Sequence, residues 1–131
     1  MKKQRHIYFF LPNFAIGGAG NSIFNISKSI KNKKDKITVI SIGVNAYKTE
    51  FLKMGANVVE KKKKKTIFAV LSILKLLKRD NKKYKQIFVS NINYSNVLSS
   101  IFLKKVDNLK LILIERTPFQ ELEIYFSFID F

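Results

Sequence analysis

The residues of this chain best suited to chemistry stand close to its start. A basic apolar run over residues 5–11 leads into Pro12-Asn13-Phe14-Ala15-Ile16-Gly17-Gly18-Ala19-Gly20-Asn21, after which an amphipathic pattern begins. A strand that ends in glycines at a helix start leaves backbone N–H groups and a positive dipole end converging on one point. Glycine also lets an anionic group come close to the backbone. That combination suits the holding of a phosphate, although the same glycines serve a tight strand-to-helix connection equally well. Other chemistries are excluded by composition. The chain has no cysteine and a single histidine, His6, so a thiolate metal site, a histidine cluster and a Ser/His/Asp triad cannot be built within it, and no metal is expected.

Known phosphate motifs can be tested on the loop directly. Gly18-Ala19-Gly20-Asn21-Ser22-Ile23 has the first two glycines of a dinucleotide fingerprint but isoleucine at the third, and no acid for a ribose follows Ile42-Gly43-Val44-Asn45. No Gly-Lys-Ser/Thr completes a Walker loop. A phosphoacceptor domain wants aspartates at strand ends, whereas Asp35, Asp80, Asp107 and Asp130 lie elsewhere. Nicotinamide binding and P-loop chemistry are therefore not expected.

The elements that must position this loop are legible from apolar periodicity. Continuous apolar runs at residues 7–11, 37–42, 57–59, 86–90 and 109–114, each bounded by charge or turn residues, predict five buried strands. Between them, Ile23, Ile26 and Ile30 predict a first helix capped by Asn21 or Ser22, and Phe51, Leu52 and Met54 predict a short second one closed by Gly55. Ile67, Val70, Leu71, Leu74 and Leu77 form the clearest stripe, opened by Thr66. Tyr94, Val97, Leu98, Ile101 and Phe102 form a fourth, capped from Asn91 or Asn93. Alternating strands and helices with continuously apolar strands predict an α/β fold: a doubly wound, Rossmann-like parallel sheet of about five strands with helices on both faces. Ligands of such sheets lie outside the carboxyl ends of the strands, which singles out residues 12–21, 43–47, 91–94 and 115–118.

Charge sets the partners. With 25 basic and 9 acidic residues the net charge is +16, and only Arg5, Arg79 and Arg116 among the basic residues are arginine. A field of this size attracts nucleotide phosphates, anionic lipid or RNA. The preference for lysine over the bidentate arginine argues against nucleic acid. The five consecutive lysines at residues 61–65 read as a solvated loop with a capacity for lipid-surface contact. The N-terminus imitates a secretory signal, but Pro12-Asn13 interrupts the apolar run, and the uncharged stretch at residues 66–74 falls far short of the roughly 20 residues of a membrane span. Absence of cysteine fits a reducing cytoplasm.

The order of motifs resembles the N-terminal domain of family 4-type glycosyltransferases of the GT-B fold. The opening strand, Leu11-Pro12-Asn13, then Gly17-Gly18-Ala19 and the helix Asn25-Ile26-Ser27-Lys28-Ser29-Ile30 is similar to that family's start. Glu50-Phe51-Leu52-Lys53-Met54-Gly55-Ala56-Asn57-Val58, Ile73-Leu74-Lys75-Leu76-Leu77-Lys78 and Glu115-Arg116-Thr117 resemble later segments in the same order. The resemblance implies one half of a GT-B enzyme that transfers a sugar, with retention of anomeric configuration, from a nucleotide-sugar donor to a glycan or lipid-linked acceptor. It implies no metal or other cofactor, and a place in the cytoplasm at the inner membrane face. Gly17, Gly18, Ala19 and Gly20 would then offer N–H groups to the donor pyrophosphate, while Asn21, Asn91, Asn93, Glu115 and Arg116 would line the acceptor cleft. Two departures stand out: Gly20-Asn21 replaces a Glu followed by a cation, and Val89-Ser90-Asn91 replaces a His-Ser-His segment, so Asn91 must substitute an amide for an imidazole. The resemblance also implies a second, C-terminal domain holding most of the donor site. Residues 1–118 are expected to form the N-terminal domain, inactive by itself. Residues 119–131, with Leu122, Ile124, Tyr125, Phe126, Phe128, Ile129 and Phe131, are expected to form an apolar helical tail that begins the continuation. A non-enzymatic basic module that binds anionic membrane or RNA is the alternative.

Overall fold

A computed structural model describes residues 3–14, 17–30, 34–63, 65–91, 93–104 and 106–114. Strands and helices alternate as β1 (Gln4–Phe10), α1 (Gly18–Ile30), β2 (Lys36–Ser41), α2 (Lys48–Lys53), β3 (Asn57–Glu60), α3 (Thr66–Asp80), β4 (Tyr84–Asn91), α4 (Asn93–Phe102) and β5 (Leu109–Ile114). The sheet runs β3-β2-β1-β4-β5, and every neighbouring pair is parallel. This is the doubly wound, Rossmann-like α/β order. Each strand stands where the apolar runs predicted one, but only β1, β2 and β4 are buried: the edge strands β3 and β5, each with a neighbour on one side only, contain no buried residue.

The central strand explains why those runs are continuous. Ile7 and Phe9 point to one face, where they pack with Ile23, Ile37, Val39 and Phe51 under α1 and α2. Tyr8 and Phe10 point to the other, where they meet Ala69, Val70, Ile73, Leu77, Phe88 and Leu98 under α3 and α4. With both faces covered, alternation has no advantage, and β1 runs apolar without a break from Ile7 to Phe10. The β1–β2 register sets Ile7 against Ile37 and Phe10 against Ile40, and the β1–β4 register sets Ile7 against Ile87 and Phe10 against Ser90. A polar seam runs through this core at the amino end of the sheet. The His6 ring lies 2.6 Å from Thr38 Oγ1 and stacks on Tyr8, whose hydroxyl accepts a 3.1 Å bond from Gln86 Nε2. Burial, with Lys36 nearby, pushes the His6 imidazole down to about 4, so the ring is neutral at physiological pH.

Two helix starts and one helix face differ from expectation, each for a local reason. Helix α1 begins at Gly18, not beyond Asn21 or Ser22: the Asn21 N–H already donates to Gly17 O at 3.0 Å, so Asn21 and Ser22 are helical and cap nothing. The first turn is thus built from glycine and alanine. Helix α4 begins at Asn93, while Asn91 is the last residue of β4, its side chain turned into the sheet rather than capping the helix. In α3 the buried residues are Ala69, Val70, Ile73 and Leu77, so Leu71 belongs to a different, outward stripe. The close of α2 is as expected. Gly55, at φ +88, donates to Leu52 O, and Ala56 donates to Phe51 O, the paired bonds of a Schellman ending.

Candidate functional site

In this strand order the chain reverses direction of winding at β1, so the loops after β1 and β4 flank the switch point at the carboxyl end of the sheet, where sheets of this order have their binding crevice. The loop after β1 is held down firmly before it reaches its glycines. Leu11 N–H donates to Ile40 O at 3.1 Å, Ile42 N–H donates to Pro12 O at 3.0 Å, and Ala46 N–H donates to Phe14 O at 2.8 Å. Phe14 itself is fully buried, edge-on to Phe51 at a ring distance of 5.6 Å and to Tyr47 at 6.3 Å. An aromatic anchor therefore fixes the loop to α2 and delivers Gly17 to the surface.

Gly17 and Gly18 are exposed, and no atom stands within 4 Å of where a Cβ on either would be. Packing inside this domain therefore does not require glycine there. The amides of Gly18, Ala19 and Gly20, in the first turn of α1, have no intrahelical acceptor and share the positive end of the helix. Ala19 is half-buried and Gly20 buried, which leaves Gly17 and Gly18 as the exposed pair. One neighbour was not singled out from sequence. The Tyr47 hydroxyl, stacked in place by Phe24, accepts a 3.3 Å bond from Gly17 N–H and lies 3.5 Å from Gly17 O. Its only signal was membership of the loop after β2; a contact across 30 residues has no local pattern.

Across the crevice, Asn91 is completely buried at the end of β4. Its Nδ2 donates to Phe10 O at 3.2 Å, tying β4 to the end of β1, while its Oδ1 has no partner. Asn96 repeats this arrangement one turn into α4: Nδ2 donates to Ile114 O at 2.8 Å and Oδ1 is unpartnered. Ser95 Oγ donates to Asn91 O, and Ser99 Oγ donates to Ser90 Oγ at 3.2 Å, so a buried polar seam joins α4 to β4. Asn91 thus works through the backbone, setting the spacing of the two strands that border the crevice. Asn21 is exposed on the first turn of α1, and Asn93 is the first residue of α4. Glu115, Arg116 and the segment at residues 119–131 lie outside the described residues.

The acid nearest this end in the sheet is Glu60, closing β3. Its Oε2 accepts the Asn45 N–H at 2.7 Å, and Lys48 stands 3.6 Å from Oε1. The Asn45 hydrogen bond, helped by Lys48, holds its carboxyl below the usual range, so it stays a structural carboxylate. Among the described residues no group of three His, Asp or Glu side chains could hold a metal ion, and no helix is long and apolar enough to cross a membrane. The arrangement presents an exposed helix start at Gly17 and Gly18, beside a strand pair tied by the buried Asn91 amide.

Comparison with protein-family models, curated proteins and solved structures finds no match to this chain.

Proposed function

We propose that this domain is the acceptor-side half of a retaining glycosyltransferase, working with a second domain of the GT-B kind that holds the rest of the nucleotide-sugar. The observation that carries the proposal is the open, exposed Gly17–Gly18 start of α1 at the crevice of a β3-β2-β1-β4-β5 sheet. At that point no Cβ of Gly17 or Gly18 stands between a pyrophosphate and the backbone, and the amides of Gly18 and Ala19 donate to it. The Tyr47 hydroxyl, now bonded to Gly17, either yields its place to a phosphate oxygen or donates to it. The glycan or lipid-linked acceptor lies against the loops after β1 and β4, beside Asn21 and the start of α4 at Asn93. No cofactor or metal is invoked.

The test is transfer of a radiolabelled sugar from a panel of nucleotide-sugars by the chain joined to a GT-B C-terminal domain. Product with retained configuration is expected from the joined protein and none from the 131 residues alone. Donor hydrolysis by the isolated chain would sink the half-enzyme assignment. So would binding of polyanions alone, with a salt slope that counts phosphates and no preference for nucleotide-sugars.

A further inference from the structure

The lysine run leaves the end of β3, and Lys61, Lys62 and Lys63 are more structured than a solvated loop. Lys61 N–H and Lys62 N–H donate to Ser41 O and Ile42 O at 2.8 and 2.7 Å, which prolongs the β2–β3 pairing past the strand. The Lys61 ammonium then folds back onto α3, 2.8 Å from Ser72 Oγ. Lys62 takes a left-handed backbone, φ 52, unusual for a residue with a Cβ. The chain turns there, and Lys62 and Lys63 line an open cavity of about 590 Å3 with Phe68, Leu71, Ser72 and Lys75 of α3.

The four α3 residues are spaced i, i+3, i+4, i+7 and so form one stripe, distinct from the buried stripe of Ala69, Val70, Ile73 and Leu77. Phe68 is 51% exposed in a patch otherwise edged by cations. Helix α3 starts with no side-chain cap, so its positive end adds to the lysines. An exposed ring ringed by lysines has little to offer bulk water. It suits an interface that is anionic at the surface and apolar a few ångströms below.

We propose that this groove docks the domain on an anionic phospholipid bilayer, with Phe68 and Leu71 entering the acyl boundary and Lys62, Lys63 and Lys75 seated on headgroup phosphates. Charge complementarity selects the occupant. Lysine point charges suit fluid lipid headgroups, whereas RNA recognition favours the planar arginine fork and several stacking rings, and this groove has one ring and no arginine. The site lies on the α3 side of the sheet's β3 edge and owes nothing to the glycine loop, so it goes beyond the sugar-transfer proposal.

The chain has no tryptophan, so Phe68→Trp installs a single reporter at a half-exposed position that should not disturb folding. Its emission is expected to shift to the blue on vesicles of phosphatidylglycerol and phosphatidylcholine and to stay unchanged on phosphatidylcholine alone. Leu52→Trp, exposed on α2 under the opposite face, is expected to show no shift on either. In co-sedimentation, Lys62→Gln and Lys63→Gln should each weaken binding about five-fold, as one lysine at a charged surface predicts, and Phe68→Ser about ten-fold. Unchanged emission of Phe68→Trp on anionic vesicles overturns the proposal. So does tighter binding to polyuridylate than to vesicles with the same lysine dependence. Sugar transfer enters none of these measurements, so their failure and a failure of the glycosyltransferase assignment are separate results.

Discussion

Single residues divide here into those committed to the fold and those left open. Gly18 is open: it is exposed, at the first position of α1, with nothing within 4 Å of a Cβ. Gly18→Val should therefore change stability by no more than about 0.5 kcal/mol while a branched side chain blocks close approach of a phosphate. Thermal unfolding together with nucleotide-sugar titration of the joined two-domain protein checks this; equal loss of both would make the glycine structural. His6 is the opposite case. Its folded value of about 4 lies below the ordinary 6.5, chiefly through burial and secondarily through Lys36, with Asp80 opposing. The unfolded chain therefore binds this proton more readily, so its neutral state is fully supported above pH 6.5 and stability falls as pH drops towards 4. The expected loss between pH 7 and 4 is about 3 kcal/mol, and His6→Gln should flatten that part of a urea-denaturation pH profile.

At the scale of elements, the β1–α1 loop carries the exposed glycines, and one aromatic holds it. Phe14 is fully buried between Tyr47 and Phe51, below the hydrogen bonds from Ile42 and Ala46 that fix the loop's course. Phe14→Ala should cost about 3–5 kcal/mol, enough to threaten a small domain, and should raise amide exchange of Gly17 and Gly18 well before global unfolding. Protection unchanged in both glycines would show that the loop is held elsewhere. Gly55→Ala tests the α2 ending separately. At φ +88 a Cβ is strained, so a loss of about 1–2 kcal/mol is expected, read from the denaturant midpoint.

For the whole molecule the governing quantity is charge. At +16 the chain repels itself when folded compactly, and salt screens that repulsion over a Debye length of about 30 Å at 0.01 M but about 8 Å at 0.15 M. The thermal midpoint should accordingly rise as sodium chloride is raised across that range. A midpoint that falls would mean that ion pairs such as Arg5–Asp35 and Lys48–Glu60 outweigh the net repulsion. The charge is also distributed with some order. A second cavity, about 680 Å3, is lined by Lys3, Arg5, Tyr84, Lys85 and Asn108 at the amino end of β1 and β4, away from the glycine loop.

The strands and their parallel arrangement were legible in the residues alone, because a sheet covered on both faces demands continuous apolar runs and parallel strands demand a helix between each pair. Residues 7–11 and 37–42 show such runs most clearly. So did the placing of the glycines at a strand-to-helix junction, since φ freedom and exposed amides are properties of local sequence. What tertiary structure alone decided is who stands beside them. Tyr47 on Gly17 spans 30 residues, Asn91 on the Phe10 carbonyl spans 81, and Lys61 on Ser72 depends on how α3 crosses the β3 edge. The helix start also moved from Asn21 to Gly18, because a backbone carbonyl at Gly17 accepts the first helical bond and needs no capping side chain. Contacts of this kind follow from strand order and register, which fix distances between residues far apart in the chain, and no local periodicity encodes them.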